Sequence, residues 1–263
     1  MGSVTSGDLA SRDGMDRTRW IARFPPRPRA RLRLFCVPYA GGSASAYRTW
    51  FEGLPATVEV CAVQLPGRET RYTEPLLTDA RAAAGALADA IAPLLDRPFA
   101  FFGHSLGALV AWETVLALGR QRAVAPAVLF VSGHRAPHLP RDVGPIHDLP
   151  ETLFVDELRR LNGTPVEVFA DRELLRLVLP QLRADFRMAE TYVPAPAGPL
   201  SCSVVALGGS EDERTPRRSL EAWREVTTGP FDVRLFPGDH FYFNRHRATV
   251  LGVVAGHLVP HLG

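Results

Sequence analysis

Short apolar runs alternate with longer helical patterns along most of the chain. Six runs of four to seven residues are bounded by turn residues, a pattern typical of buried strands in a parallel sheet. Between these runs, apolar residues recur every three or four positions, as in helices that pack on a sheet. The predicted strands span residues 31–37, 58–63, 99–102, 127–132, 201–207 and 232–236.

The strand–helix alternation predicts an α/β fold, with a mostly parallel sheet and helices on both of its faces. The predicted helices span residues 45–51, 79–95, 108–113, 150–161, 171–192, 216–226 and 246–259. From about residue 133 to 199 there are helical patterns and prolines but no strand signal, which predicts an inserted helical lid. We expect residues 1–18, which are polar and aperiodic, to be a disordered leader before one domain over 19–263.

Composition narrows the possible functions. The 263 residues are 46% hydrophobic with a net charge of +2, so no nucleic-acid partner is expected. No apolar run approaches the roughly 18 residues of a membrane span, so no membrane partner is expected either. Every basic residue is arginine, which excludes a Schiff-base lysine and a Ser–Lys dyad. The three cysteines lie in apolar runs, as expected of reduced thiols in a cytoplasmic protein.

A candidate nucleophile follows the third predicted strand. Residues 99–102 end at Gly103-His104-Ser105-Leu106-Gly107, and a helical stretch begins directly afterwards. A Gly-x-Ser-x-Gly turn between a strand and a helix is the nucleophile elbow of the α/β-hydrolase fold, which presents the serine at the carboxyl edge of the sheet. The alternative is an ordinary glycine-rich turn, but the strand and helix around it favour Ser105 as a nucleophile.

A serine nucleophile needs a histidine base, and the histidine needs a carboxylate that orients it. In the α/β-hydrolase fold the order along the chain is serine, acid, histidine. Of eight histidines, His240 alone directly follows a predicted strand after Ser105 and the lid. Asp212 follows the preceding strand and is the favoured acid, with Glu211 the next choice. Asp239 is adjacent to His240 in sequence, but it is not favoured because neighbouring side chains of an extended loop point apart.

Backbone N–H groups are expected to complete the site. The residue after the nucleophile, Leu106, supplies one oxyanion donor, and the loop after the first predicted strand supplies the other. In that loop we choose Ala40, which precedes a glycine pair. This chemistry requires no cofactor and no metal.

Several motifs together resemble the discrete type II thioesterases of polyketide and nonribosomal peptide synthesis. The likeness runs from about Trp20 to the C-terminus, and its combination of motifs is more specific than the serine elbow alone. The motifs are Val37-Pro38-Tyr39-Ala40-Gly41-Gly42-Ser43, Gln64-Leu65-Pro66-Gly67-Arg68, Gly103-His104-Ser105-Leu106-Gly107, Arg159-Arg160-Leu161-Asn162-Gly163-Thr164-Pro165, Leu174-Leu175-Arg176-Leu177-Val178-Leu179-Pro180 and Gly238-Asp239-His240-Phe241-Tyr242.

The resemblance implies a thioesterase that removes stalled or aberrant acyl groups from the phosphopantetheine arm of an acyl or peptidyl carrier protein. It maps the family's triad onto Ser105, Asp212 and His240, and its oxyanion donors onto Ala40 and Leu106. Asp239 departs from the pattern, because the family usually has a second glycine before the histidine.

The predicted lid adds two further expectations. We expect apolar lid residues to contribute to the substrate pocket, namely Phe154, Leu158, Leu175 and Phe186. The alternative, expected for most of them, is that they only pack the lid onto the core. Four arginines at spacings of four, seven and four predict a stripe that attracts an acidic carrier protein: Arg172, Arg176, Arg183 and Arg187. The alternative is a merely solvated face, which Pro180 favours because proline can break the helix between the two pairs.

Other functions share these residues. A small-molecule esterase or lipase, or an acyl transferase, would use the same catalytic groups and differ in substrate or product. A non-catalytic acyl or carrier-protein binding module would not need the ordered serine, acid and histidine. We expect a monomer.

Overall fold

The fold is organised around one sheet whose strands run mostly parallel. The computed structural model describes residues 18–141 and 143–263, and within them seven strands form the sheet in the order β1-β3-β2-β4-β5-β6-β7. β1 is antiparallel to β3, and all the other pairs are parallel. The strands are β1 Ile21–Arg23, β2 Leu32–Val37, β3 Val58–Val63, β4 Phe99–His104, β5 Val128–Ser132, β6 Ser203–Gly209 and β7 Phe231–Phe236.

Helices cover both faces of this sheet, which confirms the predicted fold class. The helices are α1 Ala80–Ile91, α2 Leu106–Arg122, α3 Glu151–Leu161, α4 Val166–Ala170, α5 Arg172–Glu190, α6 Arg217–Glu221, α7 Tyr242–Arg245 and α8 Arg247–Leu258. Side chains alternate along β4, so Phe101 packs with α1 and α2 on one face while Phe102 packs with α8 on the other. The two layers therefore bury all six residues of β4, the strand that carries the serine turn.

Some local structure differs from the sequence predictions. The helix predicted over 45–51 is two short 3-10 turns, Ala44–Tyr47 and Trp50–Gly53. The helix predicted over 216–226 is α6 followed by the 3-10 turn Ala222–Val226. β1 and α4 were not predicted, because each is only three to five residues long and lacks a fully buried residue.

Residues 133–199, which we call the lid segment, connect β5 to β6. The segment contains α3, α4 and α5 and no strand among its described residues. It has a small core of its own, in which Phe154 and Leu158 of α3 pack against Leu179 and Leu182 of α5. Pro180 does not break the helix, because α5 continues through it to Glu190. The predicted leader, residues 1–18, lies outside the described residues except for Thr18.

Candidate active site

Ser105 occupies a strained turn between β4 and α2. Its backbone angles are φ 53° and ψ −119°, a region that non-glycine residues rarely adopt. Such a conformation costs on the order of 1–3 kcal/mol and persists only where the surroundings enforce it. The Ser105 N–H donates to the Ser132 carbonyl at 2.8 Å. This hydrogen bond connects the turn to the end of β5.

The two glycines of the turn allow this close packing. A Cβ atom at Gly103 would lie 2.2 Å from the Gly107 carbonyl oxygen. A Cβ atom at Gly107 would lie 2.1 Å from the Val37 carbonyl oxygen. In both cases the obstacle is backbone, which cannot swing aside, so the nucleophile elbow requires glycine at both positions.

His240 and Asp212 form a short hydrogen bond at the same edge of the sheet. His240 Nδ1 lies 2.6 Å from Asp212 Oδ2, and Asp212 is buried. The Thr215 hydroxyl donates to the same oxygen, and the Arg214 N–H donates to Oδ1 at 3.1 Å. Burial alone would raise the pKa of Asp212, but the hydrogen bonds from His240, Thr215 and Arg214 outweigh it and lower the pKa to about 2. Asp212 is therefore ionised at neutral pH.

The two competing carboxylates are directed elsewhere. Asp239 accepts the Phe241 N–H at 2.9 Å and an Asn162 side-chain N–H at 3.3 Å. Glu211 is exposed. Asp212 is thus the carboxylate that contacts the Nδ1 edge of His240.

A cavity of about 390 Å³ opens above the serine turn. Ser105, His240, Ala40 and Leu106 all line it, so the cavity holds the predicted nucleophile, base and oxyanion donors together. Ser105 Oγ forms no hydrogen bond within residues 18–141 and 143–263, and in unliganded enzymes such catalytic contacts are often long.

The lid segment contributes the apolar wall of this cavity. Of the four predicted lid contacts, Leu158 and Phe186 line the cavity, as do Leu161 and Leu182, which were not predicted. Phe154 and Leu175 instead pack within the lid core and do not line the cavity. For Phe154 and Leu175 this arrangement fits the alternative, in which a lid residue packs without contacting the substrate pocket.

The predicted arginine stripe is not continuous. Arg172, Arg176 and Arg187 are exposed. Arg183 lies with its guanidinium 4.4 Å from the centre of the Phe154 ring and donates to the His147 carbonyl at 2.6 Å. Arg183 is therefore half-buried and bonded within the lid segment, unlike the other three arginines.

A buried polar chain behind His240 escaped the sequence analysis. His104 is fully buried, with Nδ1 2.8 Å from Ser132 Oγ, which in turn lies 2.6 Å from the Tyr242 hydroxyl. Burial, reinforced by the nearby His240, lowers the pKa of His104 far below its usual value, so this ring is neutral. The His104 and His240 rings are 4.9 Å apart, and His104 therefore supports the base by packing. No sequence signal distinguished this role, because Ser132 and Tyr242 lie on distant segments.

Two general properties of the described residues bear on the chemistry. No group of three or more His, Cys, Asp and Glu side chains in residues 18–141 and 143–263 could hold a metal ion. Across those same residues, no helix combines the length and the hydropathy that a membrane span requires.

Comparison with known proteins agrees with this geometry. The Thioesterase domain family matches residues 32–258. The chain is 44% identical to the gramicidin S biosynthesis protein GrsT of Aneurinibacillus migulanus, covering 85% of this chain and 88% of that protein. It is 43% identical to thioesterase PikA5 of Streptomyces venezuelae, covering 95% of this chain and 89% of that protein.

The fold agrees with that of a solved relative. The RedJ thioesterase from the prodiginine pathway of Streptomyces coelicolor superposes with a TM-score of 0.84 at 40% identity, over 90% of this chain and 94% of that one. The chain therefore belongs to the thioesterase family of α/β-hydrolase fold, as a hydrolase of thioesters and a homologue of the type II thioesterases of polyketide and nonribosomal peptide pathways.

Proposed function

We propose that this thioesterase removes stalled or aberrant acyl groups from the phosphopantetheine arm of a carrier protein in polyketide or nonribosomal peptide synthesis. The observation that carries the proposal is the His240–Asp212 hydrogen bond of 2.6 Å at the edge of a cavity into which Ser105 also opens. Relatives that act in gramicidin S and prodiginine biosynthesis support the pathway class.

In the first half of the proposed reaction, Ser105 Oγ attacks the thioester carbonyl carbon while His240 removes the hydroxyl proton. Asp212 holds the imidazole in the tautomer whose Nε2 accepts that proton and stabilises the imidazolium that results. The carbonyl oxygen becomes an oxyanion that accepts hydrogen bonds from the Ala40 and Leu106 N–H groups. Leu106 is the first residue of α2, where N–H groups have no acceptor within the helix.

Collapse of this intermediate breaks the carbon–sulfur bond, and the pantetheine thiol leaves with the proton from His240. In the second half, His240 takes a proton from water, and the resulting hydroxide attacks the Ser105 ester. Collapse releases the free acid and returns the proton to Ser105 Oγ. The reaction needs no redox equivalent.

We further propose how the rest of the chain serves this reaction. Residues 19–263 act as one catalytic domain, with the lid segment 133–199 as the cover of the acyl pocket. Leu158 and Phe186 contact the acyl chain, and the exposed arginines Arg172, Arg176 and Arg187 attract the acidic carrier protein. The enzyme acts as a monomer in the cytoplasm, where its three free cysteines stay reduced.

The test compares three substrates with one acyl group: an acyl-carrier protein, an acyl-pantetheine thioester and a p-nitrophenyl ester. We expect kcat/KM to be highest for the acyl-carrier protein and the acid to be the product. A preference for the oxygen ester would indicate an esterase, and transfer of the acyl group to an added amine or alcohol would indicate a transferase. Failure of a fluorophosphonate to label Ser105 would indicate a binding module.

A further inference from the structure

The C-terminal half of lid helix α5 is packed against the loop that follows β2. A Cβ atom at Gly41 of this loop would lie 2.6 Å from Leu182 Cδ2, so the Leu182 side chain of the helix packs directly on this glycine. One turn further along α5, Asp185 is completely buried. Its Oδ2 accepts the Gly41 N–H at 2.8 Å, which joins the lid segment directly to the loop.

Arg68 completes this contact from a third segment, the loop after β3. Its guanidinium forms two hydrogen bonds with the Asp185 carboxylate, at 2.8 Å and 3.0 Å, and is itself only 3% exposed. The same Arg68 Nη1 also donates to the Gly42 carbonyl at 2.9 Å. Asp185 thus holds the peptide that joins Ala40 to Gly41, and Arg68 holds the peptide that joins Gly42 to Ser43.

The loop they hold is a tight turn over residues 39–42. The Gly42 N–H donates to the Tyr39 carbonyl at 2.8 Å, and Gly41 has φ +77°. A positive φ at the third position defines a type II turn, which differs from type I by a flip of its central peptide. Here the central peptide joins Ala40 to Gly41, and its N–H is the one bound by Asp185. The Asp185 carboxylate therefore holds the central peptide in the type II orientation.

The Ala40 N–H lies in the peptide before the central one, so Asp185 and Arg68 position it by anchoring the whole turn and not through the flip itself. Ala40 N–H belongs to the same peptide as the Tyr39 carbonyl, and the two groups of a trans peptide point in opposite directions. Because Gly42 holds the carbonyl, the N–H is directed to the other side. Ala40 lines the cavity with Ser105, and its N–H donates to no other group in the described part of the chain.

We propose that Asp185, held by Arg68, is a positioning residue for the oxyanion hole, so that the hole is complete only while α5 is seated on the turn 39–42. This inference rests on the proposed function, in particular on Ala40 as an oxyanion donor. A lid helix thereby controls transition-state stabilisation as well as access to the pocket. This pair could not be predicted from sequence, because its two residues are 117 positions apart.

The test replaces the ion pair with apolar residues of similar volume in the double variant Arg68→Met/Asp185→Leu. Such replacements of buried ion pairs commonly preserve stability, so the variant separates folding from positioning. We expect kcat for an acyl-pantetheine thioester to fall by about 10- to 1,000-fold, the upper limit being the effect of losing one oxyanion donor entirely. KM should stay within about threefold of the wild-type value. The isosteric variant Asp185→Asn removes the charge, and we expect it to lower kcat as well. It replaces the double variant in the test if the double variant does not fold.

The matched control is Glu59→Gln, which breaks the buried ion pair between Arg33 and Glu59, 3.0 Å long, at the other end of the sheet. Glu59 is 1% exposed, so the control imposes a comparable burial defect away from the cavity. We expect it to lower the melting temperature while kcat stays within about twofold of wild type.

A second measurement tests whether a fall in kcat of the Asp185 variants results only from loss of active protein. A trifluoromethyl ketone analogue of the substrate forms a tetrahedral adduct whose oxygen occupies the oxyanion hole. Its Ki does not depend on the fraction of active enzyme, and we expect it to rise in parallel with the fall in kcat/KM for the Asp185 variants. A Ki and kcat within twofold of wild type in a folded Asp185 variant would overturn the positioning role. Absence of thioester hydrolysis by the wild-type enzyme would instead refute the proposed function.

Discussion

The substitution Asp212→Asn tests which carboxylate serves His240, the proposed catalytic base. The asparagine keeps the size of the side chain but replaces an ionised acceptor with an amide. An amide offers its N–H to His240 Nδ1 and so favours the wrong imidazole tautomer, in which Nε2 carries the proton and accepts none from Ser105. We expect kcat for an acyl-pantetheine thioester to fall by about 10⁴-fold, as for the equivalent change in serine proteases.

The structure also gives the energy stored in this contact. The pKa of Asp212 is lowered from its usual 3.8 to about 2. At 1.36 kcal/mol for each pKa unit, this lowered pKa favours the folded state with Asp212 ionised by roughly 2 kcal/mol. Because the folded-state pKa is the lower one, this stability is present above about pH 4 and is lost as the pH falls towards 2.

The assay measures thiol release at saturating substrate for wild type and for two variants, Asp212→Asn and Asp239→Asn. Asp239 is the matched control because it is adjacent to His240 but bonds to Phe241 and Asn162. We expect the control to retain kcat within about tenfold of wild type. If Asp239→Asn loses most of its kcat while Asp212→Asn retains a kcat near that of wild type, the assignment of the triad is wrong.

Three further predictions use other parts of the molecule. The double change Arg172→Glu/Arg176→Glu should raise KM for an acyl-carrier protein several-fold and leave KM for acyl-pantetheine unchanged; equal effects on both substrates would exclude docking there. Gly103→Ala should abolish soluble folded enzyme or lower its melting temperature strongly, since the new Cβ would meet backbone 2.2 Å away; a normal melting temperature would contradict the strained turn. Between pH 5 and pH 2 the free energy of unfolding should fall by about 2 kcal/mol less in Asp212→Asn than in wild type. Equal acid sensitivity of the two proteins would contradict the lowered pKa of Asp212.

The sequence predicted the buried strands well because their pattern is local. The strand Val58–Val63 was predicted with its observed limits, since an apolar run between turn residues is sufficient to specify it. β1, Ile21–Arg23, was missed because it lies in an arginine- and proline-rich segment and forms only by antiparallel pairing with β3. Its existence depends on a distant partner and not on its own pattern.

Some residues of the candidate site are likewise marked by their local sequence pattern, whereas others depend on distant partners. Ser105 and His240 are marked by turns directly after strands, and chain order then points to Asp212. The contacts of Arg183 could not be predicted, because helical spacing gives the face of a residue but not the Phe154 ring that it covers. Asp185 was overlooked, since a lone acid on a helix is usually solvated and its burial depends on Arg68 from another loop.

In the proposed reaction, Ser105 forms the acyl-enzyme through which the carrier protein loses its acyl group. The most direct test follows an acyl-carrier protein by intact mass spectrometry during incubation with wild type and with Ser105→Ala. With wild type we expect the carrier mass to fall by the acyl group while free acid appears. With Ser105→Ala, which removes little packing, we expect a folded protein that clears the carrier at least about 10⁴-fold more slowly. Clearance by folded Ser105→Ala at a rate within tenfold of wild type would contradict the account.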